Sequence, residues 1–175
     1  MIDFKLMEKN NFSDTAMNLF LILNDNMLKI IRNNNGRGFA ENYPIWREAV
    51  ENKLKNEENN IVLMYAKNEI IGFFQYSTNQ EGNFMMEEIQ ILPEYQGKAY
   101  NVFRNLFGYL FSILPSNLKT VEAYTNKKNR KAQKILIHLG LHRTGKNNSG
   151  DSYRYQGFYE NLKKWHDLKV EAYTR

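Results

Sequence analysis

The chain has 175 residues, 42% of them hydrophobic and 25% charged, which predicts an ordinary globular protein of one domain, residues 1–175, with about 159–175 as a C-terminal extension. It contains no cysteine, so disulfides, thiolate metal sites, Fe–S clusters and a cysteine nucleophile are all excluded. Its three histidines, His138, His142 and His166, lack the spacing of a zinc site, and no metal is expected. The net charge of +5 fits an anionic ligand such as a nucleotide, and fits a solvated lysine-rich surface equally well. No run approaches the ~18 apolar residues of a membrane span. Met1–Glu8 lacks the basic and apolar regions of a signal peptide, so the expectation is a cytoplasmic protein with no membrane partner.

Ile2, Phe4 and Leu6 alternate with Asp3 and Lys5, the pattern of a half-buried strand. Asn11–Asp14 offers N-cap residues for a helix whose apolar stripe is Ala16, Phe20, Leu23, Met27 and Ile30 or Ile31. The stretch Asn33–Gly38 breaks it. A second helix is predicted over about Pro44–Lys55, with Pro44 in its first turn and Trp46, Val50 and Leu54 on one face. Ile61–Ala66 and Ile70–Thr78 read as a hairpin around Lys67–Asn68–Glu69, and about Phe84–Leu92 as a third strand stopped by Pro93. From Gly97 to Leu114, Phe103, Leu106, Phe107, Leu110, Phe111 and Leu114 share one helical face. Thr120–Tyr124 reads as a strand, and Ala132, Ile135, Leu136 and Leu139 as a short helix closed by Gly140. Leu141–Gly145 and Ser152–Phe158 complete a final strand pair around Lys146–Asp151. The fold class is α+β, a mixed, mostly antiparallel sheet of six or seven strands flanked by about four helices.

Chemistry concentrates where the third strand runs through Pro93 into the long helix. A loop that turns directly into a helix leaves first-turn N–H groups without internal acceptors, and these favour phosphate. Gly97 lets backbone approach a ligand closely and Lys98 adds positive charge.

The segment Pro93–Glu94–Tyr95–Gln96–Gly97–Lys98 resembles the acetyl-CoA loop of the GNAT superfamily of N-acetyltransferases, in which Arg or Gln is followed by two residues, Gly, one residue, then Gly or Ala. Gln96 matches the first position. Asn129, Ala132, Gly140 and Leu141 are similar to the superfamily's later motif, and Gly72 stands in a strand where its members usually carry glycine. The tail Gly150–Tyr155 and the later motif resemble the ribosomal-protein-alanine acetyltransferase branch. The element order agrees from Ile2 to about Phe158.

The resemblance implies acetyl transfer from acetyl-CoA to a primary amine, on a small molecule or a protein, by direct attack in a ternary complex. It implies that N–H groups near Ile91 polarise the thioester carbonyl. Gln96, Gly97, Lys98, Ala99, Tyr100 and Asn101 would hold the pyrophosphate, and Asn129 would contact pantetheine. A lysine-like amine has a pKa of ~10.4 and must attack neutral, so a carboxylate is the usual base. Glu87 and Glu88 are the candidates, and strand alternation points them to opposite faces. Ala99 and Asn101 replace small or glycine residues of the loop, Ala132 stands where that branch has Ser, and Leu136 stands where many members place a proton-donating Tyr. These departures define the alternative, a catalytically degenerate module that binds acyl-CoA or a protein partner.

Other signals read as structure. Gly140–Asn147 falls one residue short of a P-loop but follows a helix, so it reads as a cap and a strand. His138 lies with Lys131 and Lys134 on a solvated face. The Phe103, Phe107 and Phe111 spacing reads as core, not as a base-stacking platform. The basic, aromatic tail from Leu162 to Arg175 reads as a surface helix or partner contact, and no nucleic-acid partner is expected. Tyr43 and Trp46 fall where members of the superfamily wall the acceptor site, and packing is the simpler role for Trp46.

Overall fold

The computed structural model describes residues 2–30, 38–97 and 101–173. The elements follow in the order β1 (Ile2–Leu6), α1 (Phe12–Ile30), α2 (Phe39–Leu54), β2 (Asn59–Ala66), β3 (Glu69–Thr78), β4 (Asn83–Ile91), α3 (Val102–Ile113), β5 (Thr120–Asn126), α4 (Arg130–His138), β6 (His142–Lys146), β7 (Ser152–Phe158) and α5 (Tyr159–Tyr173). The strands form a seven-stranded sheet of order β1-β2-β3-β4-β5-β7-β6. Its β1–β2, β5–β7 and β6–β7 ladders are antiparallel and β4–β5 is parallel. This is the mixed, mostly antiparallel α+β architecture expected, with five helices among the described residues where about four were predicted. The chain divides into two compact units, Met1–Tyr76 with Glu88–Val102, and Ser77–Glu87 with Phe103–Arg175.

In the first unit β1 pairs with β2 from Ile2 opposite Ala66 to Leu6 opposite Val62. Lys67 and Asn68, at φ 49° and 66°, make the β2–β3 turn with both central residues left-handed, the form whose twist matches a hairpin. Residues at spacings of three and four on α1, Phe12, Ala16, Leu19, Phe20 and Leu23, meet Val50 and Leu54 of α2 and Ile61, Leu63 and Phe73 of the sheet in one core. Burying such side chains stabilises by about 1.5–3 kcal/mol each. Ile31 and Asn33–Arg37 lie outside the described residues.

The second helix starts earlier than predicted. It begins at Phe39, because Gly38 serves as N-cap and the Glu41 carboxylate accepts from the Gly38 N–H at 2.9 Å. Pro44 is therefore inside α2 and not in its first turn, on the exposed side. Trp46 is a packing residue: its ring lies 5.3 Å from Phe20 and 5.9 Å from Phe12, while Tyr43 lies 5.4 Å from Phe20.

In the second unit β5 and β7 pair over seven residues, from Thr120 opposite Phe158 to Asn126 opposite Ser152. The parallel β4–β5 ladder runs from Asn83 opposite Thr120 to Met86 opposite Ala123. Gly140 closes α4 at φ 90°. Its N–H bonds Ile137 O and the Leu141 N–H bonds Leu136 O, the paired closure that favours glycine at this position. Where a surface helix was predicted, α5 is part of the core. Leu162 is wholly buried, Trp165 meets Phe107 edge-on at 5.8 Å, and Phe111 meets both Tyr159 and His166. Glu122 is buried and its Oε2 accepts from Arg154 at 2.6 Å and Gln156 at 2.8 Å. Among the described residues no helix is long and apolar enough to cross a membrane.

Candidate functional site

The end of β4 is built by three neighbours. Beside it, β3 comes very close: a Cβ on Gly72 would lie 2.5 Å from Gln90 O and 3.2 Å from the Ile91 Cα, so only glycine fits there without displacing backbone. The Leu92 N–H bonds Ile71 O on β3 at 2.8 Å. Successive strand residues turn their backbone groups to opposite sides, so the N–H and C=O of Ile91 face away from β3. Pro93 then opens a 3₁₀ turn, Pro93–Tyr95, in which Tyr95 N–H bonds Leu92 O and Gln96 N–H bonds Pro93 O. The N–H of Gln96 is thus already occupied, and its side chain is the part that reaches the strand.

That side chain completes a chain of hydrogen bonds. Gln96 Nε2 donates to Ile91 O at 2.7 Å and reaches Asn26 Oδ1 at 3.5 Å. Asn26 Nδ2, from α1, donates to the same Ile91 O at 3.0 Å and to Gln90 Oε1 at 2.9 Å. Gln90 Nε2 in turn donates to Glu88 Oε1 at 2.6 Å, a short bond of the kind a charged acceptor makes. Asn26, Gln90 and Ile91 are buried, while Glu88 is half-buried and Gln96 exposed. A carboxylate able to take a proton is therefore held three residues before a strand end whose final N–H faces away from β3, with the Gln96–Gly97 loop bonded to the same strand end.

Of the residues selected from sequence, Glu88, Ile91 and Gln96 belong to this one set. Glu87 points the other way, as alternation requires, and accepts from Ser77 Oγ at 3.1 Å in the second unit. Gly97 is exposed, and a Cβ added there meets no described atom within 4 Å, so no packing among the described residues requires glycine. Lys98, Ala99 and Tyr100 lie outside the described residues. Asn101 stands at φ 48°, a left-handed conformation that Asn tolerates better than most residues. It accordingly ends the loop, and α3 starts at Val102 where a start at Gly97 was predicted. Asn129, in the second unit, is the N-cap of α4: its Oδ1 accepts from Ala132 N–H at 3.0 Å, which leaves only its amide nitrogen to donate. Leu136 is buried.

Asn26 and Gln90 were not selected from sequence. The available signal is Asn26 itself, an amide three residues beyond Leu23 on an otherwise apolar stripe.

Among solved structures the chain is similar to an acetyltransferase from Thermus thermophilus, at 11% identity and a TM-score of 0.68 over 90% of this chain and 97% of that one. It is similar to the PaiA N-acetyltransferase of Thermoplasma acidophilum, solved with coenzyme A, at 12% identity and a TM-score of 0.65 over 91% and 99% of the two chains. The spermidine N-acetyltransferase of Vibrio cholerae, solved with CoA and spermine, gives 18% identity and a TM-score of 0.59 over 93% and 98%. No protein-family model and no curated protein matches the sequence. The chain has the GNAT acetyltransferase fold.

Proposed function

We propose that the chain is an N-acetyltransferase that moves the acetyl group of acetyl-CoA to a primary amine. The observation that carries this is the strand end at Glu88–Ile91, where a carboxylate, a backbone N–H turned away from β3 and the Gln96–Gly97 loop form one bonded set. Acetyl-CoA supplies an acetyl thioester already activated toward amines. The residues present fit it: Gly97 is exposed and has no side chain to stand between its backbone and a phosphate, and the Ile91 N–H is turned away from the β3 ladder, toward where a carbonyl oxygen could bond it. Such a donor, aimed at developing negative charge, is worth about 2.7–4 kcal/mol.

Glu88 is the base, taking the proton of the incoming ammonium directly or through one water, and Glu87 is not. Lys98, Ala99, Tyr100 and Asn101 carry the rest of the pyrophosphate loop in this reading, and Asn129 donates to pantetheine through its amide nitrogen. With Leu136 buried where many superfamily members have Tyr, the departing thiolate takes its proton from water. The acceptor is a primary amine, for which the polyamine bound to the Vibrio cholerae enzyme is the natural first probe, beside amino-terminal and lysine peptides.

Calorimetric titration with acetyl-CoA, dephospho-CoA and ADP tests the reading, followed by thiol release over a panel of amines. Micromolar binding that needs the pyrophosphate is the expected result. No heat and no thermal shift up to millimolar ligand would overturn it. Buried Leu136 and left-handed Asn101 favour the second reading, a binding module without turnover. Tight acetyl-CoA binding without thiol release for any amine would select that one.

A further inference from the structure

We propose that Asn26 and Gln90 are positioning residues for Glu88, which fix its carboxylate for proton removal and tie it to Gln96. The inference rests on the acetyltransferase reading for its chemistry, and on geometry alone for its existence.

A carboxylate only accepts, whereas a primary amide has one donating and one accepting end. With Gln90 Nε2 committed to Glu88 Oε1 at 2.6 Å, its Oε1 must face Asn26. Both N–H groups of Asn26 are then spent, one on Gln90 Oε1 and one on Ile91 O, which leaves Oδ1 toward Gln96. Each amide is oriented by the one before it, so the series runs in a single sense from the Glu88 carboxylate to the loop. Burial gives the arrangement its rigidity. Asn26 and Gln90 are 8% and 9% exposed, and an amide in such surroundings costs about 1–3 kcal/mol when left unpaired.

The apolar alternative was open to the sequence. Leucine at position 26 would continue the stripe of Phe12, Ala16, Leu19 and Leu23 with no amide of its own to satisfy. The chain buries an amide instead, and that amide touches both the strand end and the residue holding Glu88. A base held by a buried second partner loses less rotational freedom when the proton moves, the way a supporting residue acts through another.

The test uses the full chain and three near-isosteric substitutions, Asn26→Leu, Gln90→Met and Glu88→Gln, each read by kcat, KM and thermal midpoint. Asn26→Leu and Gln90→Met should each lower kcat by about 10–100-fold, with KM for acetyl-CoA changed by less than about 3-fold. In the Glu88→Gln background the same substitutions should change kcat by less than about 2-fold, because they act through the group already removed. An equal loss in both backgrounds, or an undiminished kcat in folded Asn26→Leu or Gln90→Met, overturns the proposal.

The side-chain amide NMR signals of Asn26 separate this from failure of the acetyltransferase reading. They should move in Glu88→Gln and stay in place in Glu69→Gln, a substitution at the exposed first residue of β3. Movement in a protein that acetylates no amine leaves the relay standing and removes only the base assignment. Unmoved signals overturn the relay itself.

Discussion

Asn26 Nδ2 donates to Gln90 Oε1 across 2.9 Å, although the two residues are 64 positions apart. The bond fastens the C-terminal part of α1 to the last residues of β4, and the same nitrogen reaches Ile91 O. A displacement of that strand end is therefore felt by a helix whose other contacts are the core around Phe20 and Leu23.

Gly72 is the place to provoke such a displacement. An added methyl would stand 2.5 Å from Gln90 O and 3.2 Å from the Ile91 Cα, and both of those atoms belong to backbone that cannot swing aside. Gly72→Ala is expected to cost about 1–3 kcal/mol as overpacking, a fall in thermal midpoint of roughly 3–10 °C. On the acetyltransferase reading, acetyl transfer should fall with it as Ile91 shifts. Thermal unfolding beside kinetics checks this, and an unchanged midpoint would show that the sheet absorbs the methyl.

Gly97 should behave in the opposite way. No described atom lies within 4 Å of a Cβ there, so Gly97→Leu should leave the midpoint unchanged. If phosphate lies against that backbone, the same substitution weakens acetyl-CoA binding by about tenfold or more, ~1.4 kcal/mol or above. Calorimetry on the variant decides between a ligand-facing glycine and an idle one.

Local pattern carried most of the fold. The Ser152–Phe158 strand has the bounds that alternation predicts, and the Gly140 closure of α4 follows from one glycine after a short amphipathic run. Helix starts were less legible, because single side chains decide them: Glu41 reaching back to Gly38 begins α2, and left-handed Asn101 delays α3. Glu88, Ile91 and Gln96 could be found because they lie within nine residues of one motif. Asn26 could not, since its partners are remote in sequence and nothing beside it marks them. The role of α5 was hidden by its charges, which mask the spacing of Tyr159, Leu162 and Trp165.

That helix supplies a direct stability test. Leu162 is wholly buried, with Trp165 and Tyr159 on the same helix packed against Phe107 and Phe111. Leu162→Ala should cost about 2–5 kcal/mol. Denaturant unfolding measures it, and a loss below about 1 kcal/mol would return α5 to the surface role that its composition suggests.

The Glu122–Arg154 pair tests a different term. Glu122 is buried, whereas Arg154 is 39% exposed at its side chain, so water can replace part of what Glu122 gives to Arg154 but not the reverse. Arg154→Ala should lower the midpoint by leaving a buried carboxylate with Gln156 alone. Adding Glu122→Gln removes that charge and should recover part of the loss. A double variant no more stable than Arg154→Ala would show that the stranded charge is not what destabilises.

Tyr159 sets the behaviour at high pH. Burial pushes its phenol above the ordinary tyrosine value, so the folded protein holds this proton more tightly than the unfolded chain. The neutral phenol's contribution is complete below the unfolded pKa of ~10 and is lost as pH rises from there through the folded value, where the folded state binds more protons and stability falls with pH. Tyr159→Phe keeps the edge-on contacts with Phe84 and Phe111 and has no proton to lose. Its midpoint should stay close to that of the unaltered protein at pH 7 and fall less between about pH 10 and 11. Parallel decline of the two proteins over that interval would mean that other groups, the lysines first among them, govern alkaline unfolding.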